Sequence, residues 1–222
     1  MISQVKSLFY KKDVVKHIQQ VLPDMFYKAE MECIRGGKVG MEVGCLRERQ
    51  LVSMLMYFLS KSNVNEKVPT TEPEVDVKIS GKPLAIRTSK NISSVKASWK
   101  VDALQAENFI ATYKPKADLL FVHIQWDKVS IFGTPSLYHV PIEAAILVHF
   151  SFGKKYFTPP KQGTDAKGVE FSRAALRSLL NHPMTSTMDI DWVRPKYTHD
   201  PYHKWFQTWS AGHVHKKYLY YK

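Results

Sequence analysis

The chain has 222 residues, 44% of them hydrophobic and 23% charged, which supplies a real core and argues against disorder. Thirty-two Lys and Arg against 20 Asp and Glu leave a formal charge of +12, an excess that calls for a polyanionic partner, nucleic acid ahead of an anionic membrane surface. The longest apolar stretches, residues 51–59 and 141–150, are too short to span a bilayer, and the first residues lack a signal-peptide core, so a soluble, cytoplasmic protein is expected. Cys33 and Cys45 make no CxxC pair; they read as reduced core thiols and not as half of a zinc site.

Residues 4–30 predict a helix, with Val5, Leu8, Phe9, Val14, Val15, Ile18 and Leu22 near helical spacing and Pro23 interrupting or ending a first segment. The stretch IRGGKVGMEVG holds four of the ten glycines and reads as a tight or flexible loop. Cys45–Ser60 returns to helical period, with Leu46, Leu51, Leu55, Phe58 and Leu59 as one stripe. After the polar linker KSNVNEKVPTTEP the period becomes that of strands: 74–79 and 84–88 flank the turn SGKP. Residues 98–112 predict a helix, LLFVHIQW and KVSIFG two strands, and 141–149 a helix. A lysine-rich loop over 153–168 leads to GVEFSRAALRSLL, a strand end and short helix. The order implies one α/β domain around a central mixed sheet flanked by helices.

The last 34 residues interleave rings and cations: Trp192, Tyr197, Tyr202, Trp205, Phe206, Trp209, Tyr218, Tyr220 and Tyr221 among Arg194, Lys196, Lys204, Lys216 and Lys217. Most of these rings are expected to pack, leaving the lysines for phosphates. His213 and His215 lack further acids and are expected to meet phosphate or solvent, not a metal.

Chemistry on a phosphodiester needs carboxylates for a divalent metal and a cation near the charged phosphate. Glu48 near the start of the second helix, Asp76 on the first hairpin strand and the adjoining strand LAIRTSK form a candidate set. An Asp within a β-branched run goes against strand propensity, which points to a use. A second register, Pro23-Asp24 with Asp76-Val77-Lys78, contains a literal P-D and D-x-K at a separation long for a hairpin.

Together, GxEVGxLRERQLVSML, Asp76 and AIRTSK resemble the PD-(D/E)xK nucleases, and within them the blunt-cutting ThaI-type type II restriction endonucleases. The resemblance covers roughly residues 36–125. It implies a nuclease core over 36–150, preceded by a helical region (1–35) and followed by a basic aromatic extension (151–222). It further implies that Glu48 and Asp76 bind Mg2+ with the carbonyl of Ile86, that Arg87 holds the position of the family lysine, and that a homodimer cuts double-stranded DNA at a short palindrome, CG-rich such as CGCG. Ala85 departs from the pattern, and Glu48 from the preceding helix would stand in for the missing acid. Arginine keeps the charge but cannot act as a base, so impaired activity is expected.

Met41, just before the catalytic helix, reads either as a packing residue of the helix start or, by resemblance, as a wedge entering a base step. Lys38, Arg47, Ser89 and Lys90 are candidate DNA contacts, with Arg49, Lys96 and Lys100 weaker ones. Against the nuclease stand a non-catalytic DNA-binding protein on the same fold and, on charge and aromatics alone, an RNA-binding protein.

Overall fold

A computed structural model describes residues 2–69, 72, 74–90, 95–98, 101–102, 104–126, 136–160 and 168–210. The elements in chain order are α1 (Ser3–Leu8), α2 (Lys12–Glu32), β1 (Ile34–Arg35), β2 (Lys38–Val39), α3 (Val43–Leu59), β3 (Val64–Asn65), β4 (Val77–Ile79), β5 (Lys82–Ser89) and β6 (Lys96–Ser98). They continue with α4 (Ala106–Thr112), β7 (Asp118–His123), β8 (Leu137–Val140), α5 (Ile142–Phe152), β9 (Phe157–Thr158), β10 (Val169–Phe171), α6 (Arg173–Leu180), β11 (Ser186–Met188) and α7 (His203–Ser210).

Six strands form one mixed sheet in the order β11-β8-β7-β5-β4-β3, in which β5 and β7 run parallel and the other pairs antiparallel. The parallel pair sits at the centre, where the strand period of two divides the side chains between two cores. Leu84, Ile86, Leu120 and Val122 face a layer built with α1, α2 and α3. Leu119, Phe121, Tyr138 and Val140 face a second layer with α5, α6 and the small sheet β6-β10-β9, and Ala85 packs against it. Every residue of β7 is buried, which explains its uninterrupted apolar run.

The single helix expected over 4–30 breaks after Leu8, and α2 starts afresh at Lys12. Pro23 neither interrupts nor ends a helix: α2 runs through it. The lost backbone hydrogen bond is outweighed because Leu22, Phe26 and Ala29 on either side are buried. The helix expected over 98–112 begins only at Ala106; Lys96–Ser98 is instead a strand paired with β10, and the Asp102 carboxylate accepts from the Gln105 amide (2.8 Å) in a turn ahead of the helix. Among the described C-terminal rings Trp192 packs within the chain: it stacks on Phe26 (5.5 Å), meets Trp126 edge-on (5.4 Å) and donates to the His123 carbonyl (3.0 Å). Tyr202, Trp205, Phe206 and Trp209 are exposed on and beside α7.

The helix over Cys45–Ser60, the hairpin, the helix after Pro141 and the strand-helix step at 169–180 form as expected. The glycine segment is a tight hairpin, β1-β2, turning at Gly36 and Gly37, whose φ of +58° and +76° only glycine adopts easily. Cys33 is buried, whereas Cys45 is exposed and is no core thiol. The strand expected at 128–133, Lys100, and the tail from 211 with its histidines lie outside the described residues. No described helix is long and apolar enough to cross a membrane.

Candidate active site

The hairpin β4-β5 ends beside Asp76, which directly precedes β4. The Asp76 amide donates to the Leu84 carbonyl (3.0 Å), extending the ladder by one step and fixing the side chain against β5. Asp76 Oδ2 accepts from the Ile86 amide (2.6 Å) and from Nη1 of Arg87 (2.7 Å). That same Nη1 donates to the Ile86 carbonyl at 2.6 Å. One cationic nitrogen therefore joins the two oxygens, Asp76 Oδ2 and Ile86 O, that sequence reasoning gave to a metal. The rest of the guanidinium is tied to β6, Nε to the Lys96 carbonyl (3.0 Å) and Nη2 to that of Ala97 (3.3 Å).

Glu48 reaches this cluster from α3, which packs on β5 through Leu51 and Leu55. Burial, with the Asp76 carboxylate facing it, pushes the Glu48 carboxyl up to about 7, and Arg87 only partly offsets the rise. Two carboxylates share too little positive charge, so one keeps its proton near neutrality.

Sequence reasoning missed Glu74. It lines a small cavity with Ala85, Arg87, Ala97 and Tyr113. Burial raises its carboxyl, although Lys116, a hydrogen bond from Tyr113 and the Arg87 charge work the other way. Glu74 thus places a carboxyl beside Ala85, where the strand carries none. A second acid two residues before Asp76 was the available signal.

Of the candidate site residues, Glu48, Asp76, Ile86 and Arg87 come together. Arg47 points away: it is buried, ion-paired with Glu30 and lies over the Phe26 ring (5.6 Å), so it is not presented to a phosphate. Lys90 and Ser89 follow Arg87 at the end of β5, and Lys90 also reaches Glu30 (2.7 Å). Lys38 is exposed on the β1-β2 hairpin. Met41 is 96% exposed and packs nothing at the helix start. Pro23-Asp24 lies inside α2, where Asp24 pairs with Lys28 (2.8 Å), and Lys78 pairs with Glu72 (2.8 Å).

The family model described as restriction endonuclease ThaI matches residues 8–211. The chain belongs to the ThaI restriction endonuclease family. It is a type II restriction enzyme, and enzymes of this kind generally use a divalent metal. A solved structure described as a restriction endonuclease in complex with substrate DNA is 39% identical, with a TM-score of 0.82 over 94% of this chain and 99% of that one. No curated protein matches.

The residues present fit a hard divalent cation. Glu48, Asp76 and the Ile86 carbonyl are oxygen donors, the class that magnesium selects. Two of them already converge on one cationic atom. Among the described residues no group of three or more His, Cys, Asp or Glu side chains forms a metal cage.

Proposed function

We propose that this ThaI-family enzyme cuts double-stranded DNA at a short CG-rich palindrome such as CGCG by Mg2+-dependent hydrolysis, leaving a 5′-phosphate and a 3′-hydroxyl. The observation that carries this reading is the convergence of Asp76 Oδ2 and Ile86 O on one cation, with the charge-starved Glu48 beside them. Bound there, Mg2+ would lower the pKa of water and offset charge on the reacting phosphate. Glu48 and Asp76 would supply the negative charge that holds it, and Glu48 would give up its proton in exchange. The Arg87 guanidinium would stabilise phosphate oxygens and cannot accept the proton of the attacking water. A palindrome cut on both strands fits a homodimer with one site per strand. Met41, projecting after Gly40 and fully accessible, suits a wedge into a base step from the minor groove.

Plasmid cleavage with Mg2+ tests the reading, comparing the parent with Asp76→Asn and Arg87→Lys. Discrete fragments from the parent that disappear in Asp76→Asn support it. Cleavage confined to Arg87→Lys marks the arginine as an impairment of the same site. Intact plasmid with all three overturns it.

A further inference from the structure

Arg87 is held on two sides. Its Nη1 spans Asp76 Oδ2 (2.7 Å) and the Ile86 carbonyl (2.6 Å), while Nε and Nη2 donate to the Lys96 and Ala97 carbonyls of β6. The residue is only 7% exposed, and among the described residues Asp76 is the acid it pairs with. A guanidinium at that depth needs a counter-charge, because burying one unpaired is costly.

Asp76 Oδ2 and Ile86 O are also the two oxygens proposed for the metal. Magnesium takes oxygen ligands at about 2.0–2.1 Å and demands near-octahedral geometry. A nitrogen hydrogen-bonded to both oxygens occupies the space such an ion would need, and two cations so close repel strongly in a low-dielectric site. Nη1 of Arg87 and a divalent cation therefore exclude each other at these atoms. With Asp76 given to a metal, Arg87 would lose its counter-ion while still buried.

The fold supplies a second one. A small cavity beside Arg87 is lined by Glu74, Ala85, Ala97 and Tyr113 among others. The short side chains of Ala85 and Ala97 leave it room. Among the described residues that line it, Glu74 is the one acid, and the Arg87 charge already acts favourably on that carboxylate. Ala85, where the family pattern has an acid, thereby gains a reason: a longer side chain there would fill the space.

We propose that the Arg87 guanidinium has two seats, one on Asp76 and the Ile86 carbonyl and one in this cavity against Glu74. Glu74 is then the positioning residue that receives the guanidinium when a divalent metal takes the two oxygens. This handover rests on the metal-dependent reading of the site and adds to it a control. Metal affinity is set by a competing side chain as well as by the ligands.

The test is Mn2+ binding by the full chain without DNA, read from the electron paramagnetic resonance of the free ion. Manganese prefers the same oxygen ligands as magnesium. Arg87→Met removes the competitor and should tighten binding by at least about tenfold. Glu74→Gln removes the receiving charge and should weaken binding several-fold in the parent. In the Arg87→Met background the same change should have a much smaller effect, because no guanidinium remains to be received; the double-mutant cycle reads this coupling. Equal weakening in both backgrounds makes Glu74 an independent contributor and overturns the handover. So does a Glu74→Gln affinity equal to the parent's, or an Arg87→Met affinity no tighter than the parent's. Each of these leaves the metal reading intact. Should Arg87→Met fail to fold, the Arg87 Nε–H NMR signal, identified by its loss in Arg87→Lys, decides. It should move as Mg2+ is added to the parent and reach a different end point in Glu74→Gln; a signal that stays in place overturns the proposal. A parent that binds Mn2+ no better than Asp76→Asn overturns both the handover and the metal reading.

Discussion

Asp118, at the start of β7, and Glu48, on α3 against β5, are both carboxylates beside the central sheet, and the structure treats them in opposite ways. Asp118, at the start of β7, accepts from the Ile2 amide (2.6 Å), the Ile142 amide (2.8 Å) and His139 Nε2 (2.8 Å). Burial would raise its carboxyl, but these donors outweigh the penalty and hold it below its usual value. Glu48, half-buried, faces another carboxylate instead of donors, so its carboxyl rises. The first is a closed joint that sews the N-terminus and α5 onto the sheet. The second lacks the donors that would offset its burial. Depth alone does not separate structural from functional acids; the supply of donors does.

The comparison breaks most sharply by substitution. Asp76→Asn should lower Mg2+-dependent cleavage by at least about 10^2–10^3-fold, measured as initial rate on a plasmid, with the melting temperature nearly unchanged. Asp118→Ala should do the reverse. Leaving His139 and two amides without their acceptor should cost about 3–5 kcal/mol in urea unfolding, while the folded fraction still binds DNA. Equal losses of stability in both variants would erase the distinction.

A smaller effect concerns pH. The folded-state carboxyl of Glu48 titrates near 7, above its unfolded value of 4.5. The folded chain therefore holds an extra proton between these values, and this contribution to stability, full below about 4.5, is lost as pH rises through 7. Glu48→Gln should be more stable than the parent at pH 8 by on the order of 1–2 kcal/mol, and Mg2+ should shrink that difference. Thermal melts at pH 5 and 8 with and without Mg2+ check it; a difference that does not depend on pH refutes the assignment. Arg87→Lys should lower stability by about 1 kcal/mol through the lost bonds to the Lys96 and Ala97 carbonyls, while raising the cleavage rate. The smallest effect belongs to Arg49, exposed one residue beyond Glu48: Arg49→Ala should change stability by less than about 0.5 kcal/mol.

Much of the site was legible because its elements announce themselves locally. An SGKP turn brings Asp76 beside Arg87 by short-range rules, and the apolar stripe of a 3.6-period helix shows which face of α3 packs on β5 and carries Glu48 to them. What stayed hidden depends on distant partners. Strands β6, β8 and β11 are three or four residues long and form because β10, β7 and β8 lie alongside them. The misreading of Arg47 was avoidable. Its spacing of four from Leu51 and Leu55 put it on a buried stripe, as the same spacing from Phe26 put Glu30 on another. A charge on an apolar stripe asks for its opposite on the facing helix, and here each was the other's answer. Arg49, on the open side of the same turn, looks identical in composition and differs only in phase.

The indole of Trp192 turns an apparent appendage into a wedge of the building itself. Wedged against Phe26 and Trp126, it closes the wall between α2 and the end of β7 two residues before Arg194. A cut made in the lysine-rich loop to graft the basic C-terminal region onto another scaffold would pull a stone from the enzyme and carry off a region with nothing to stand on.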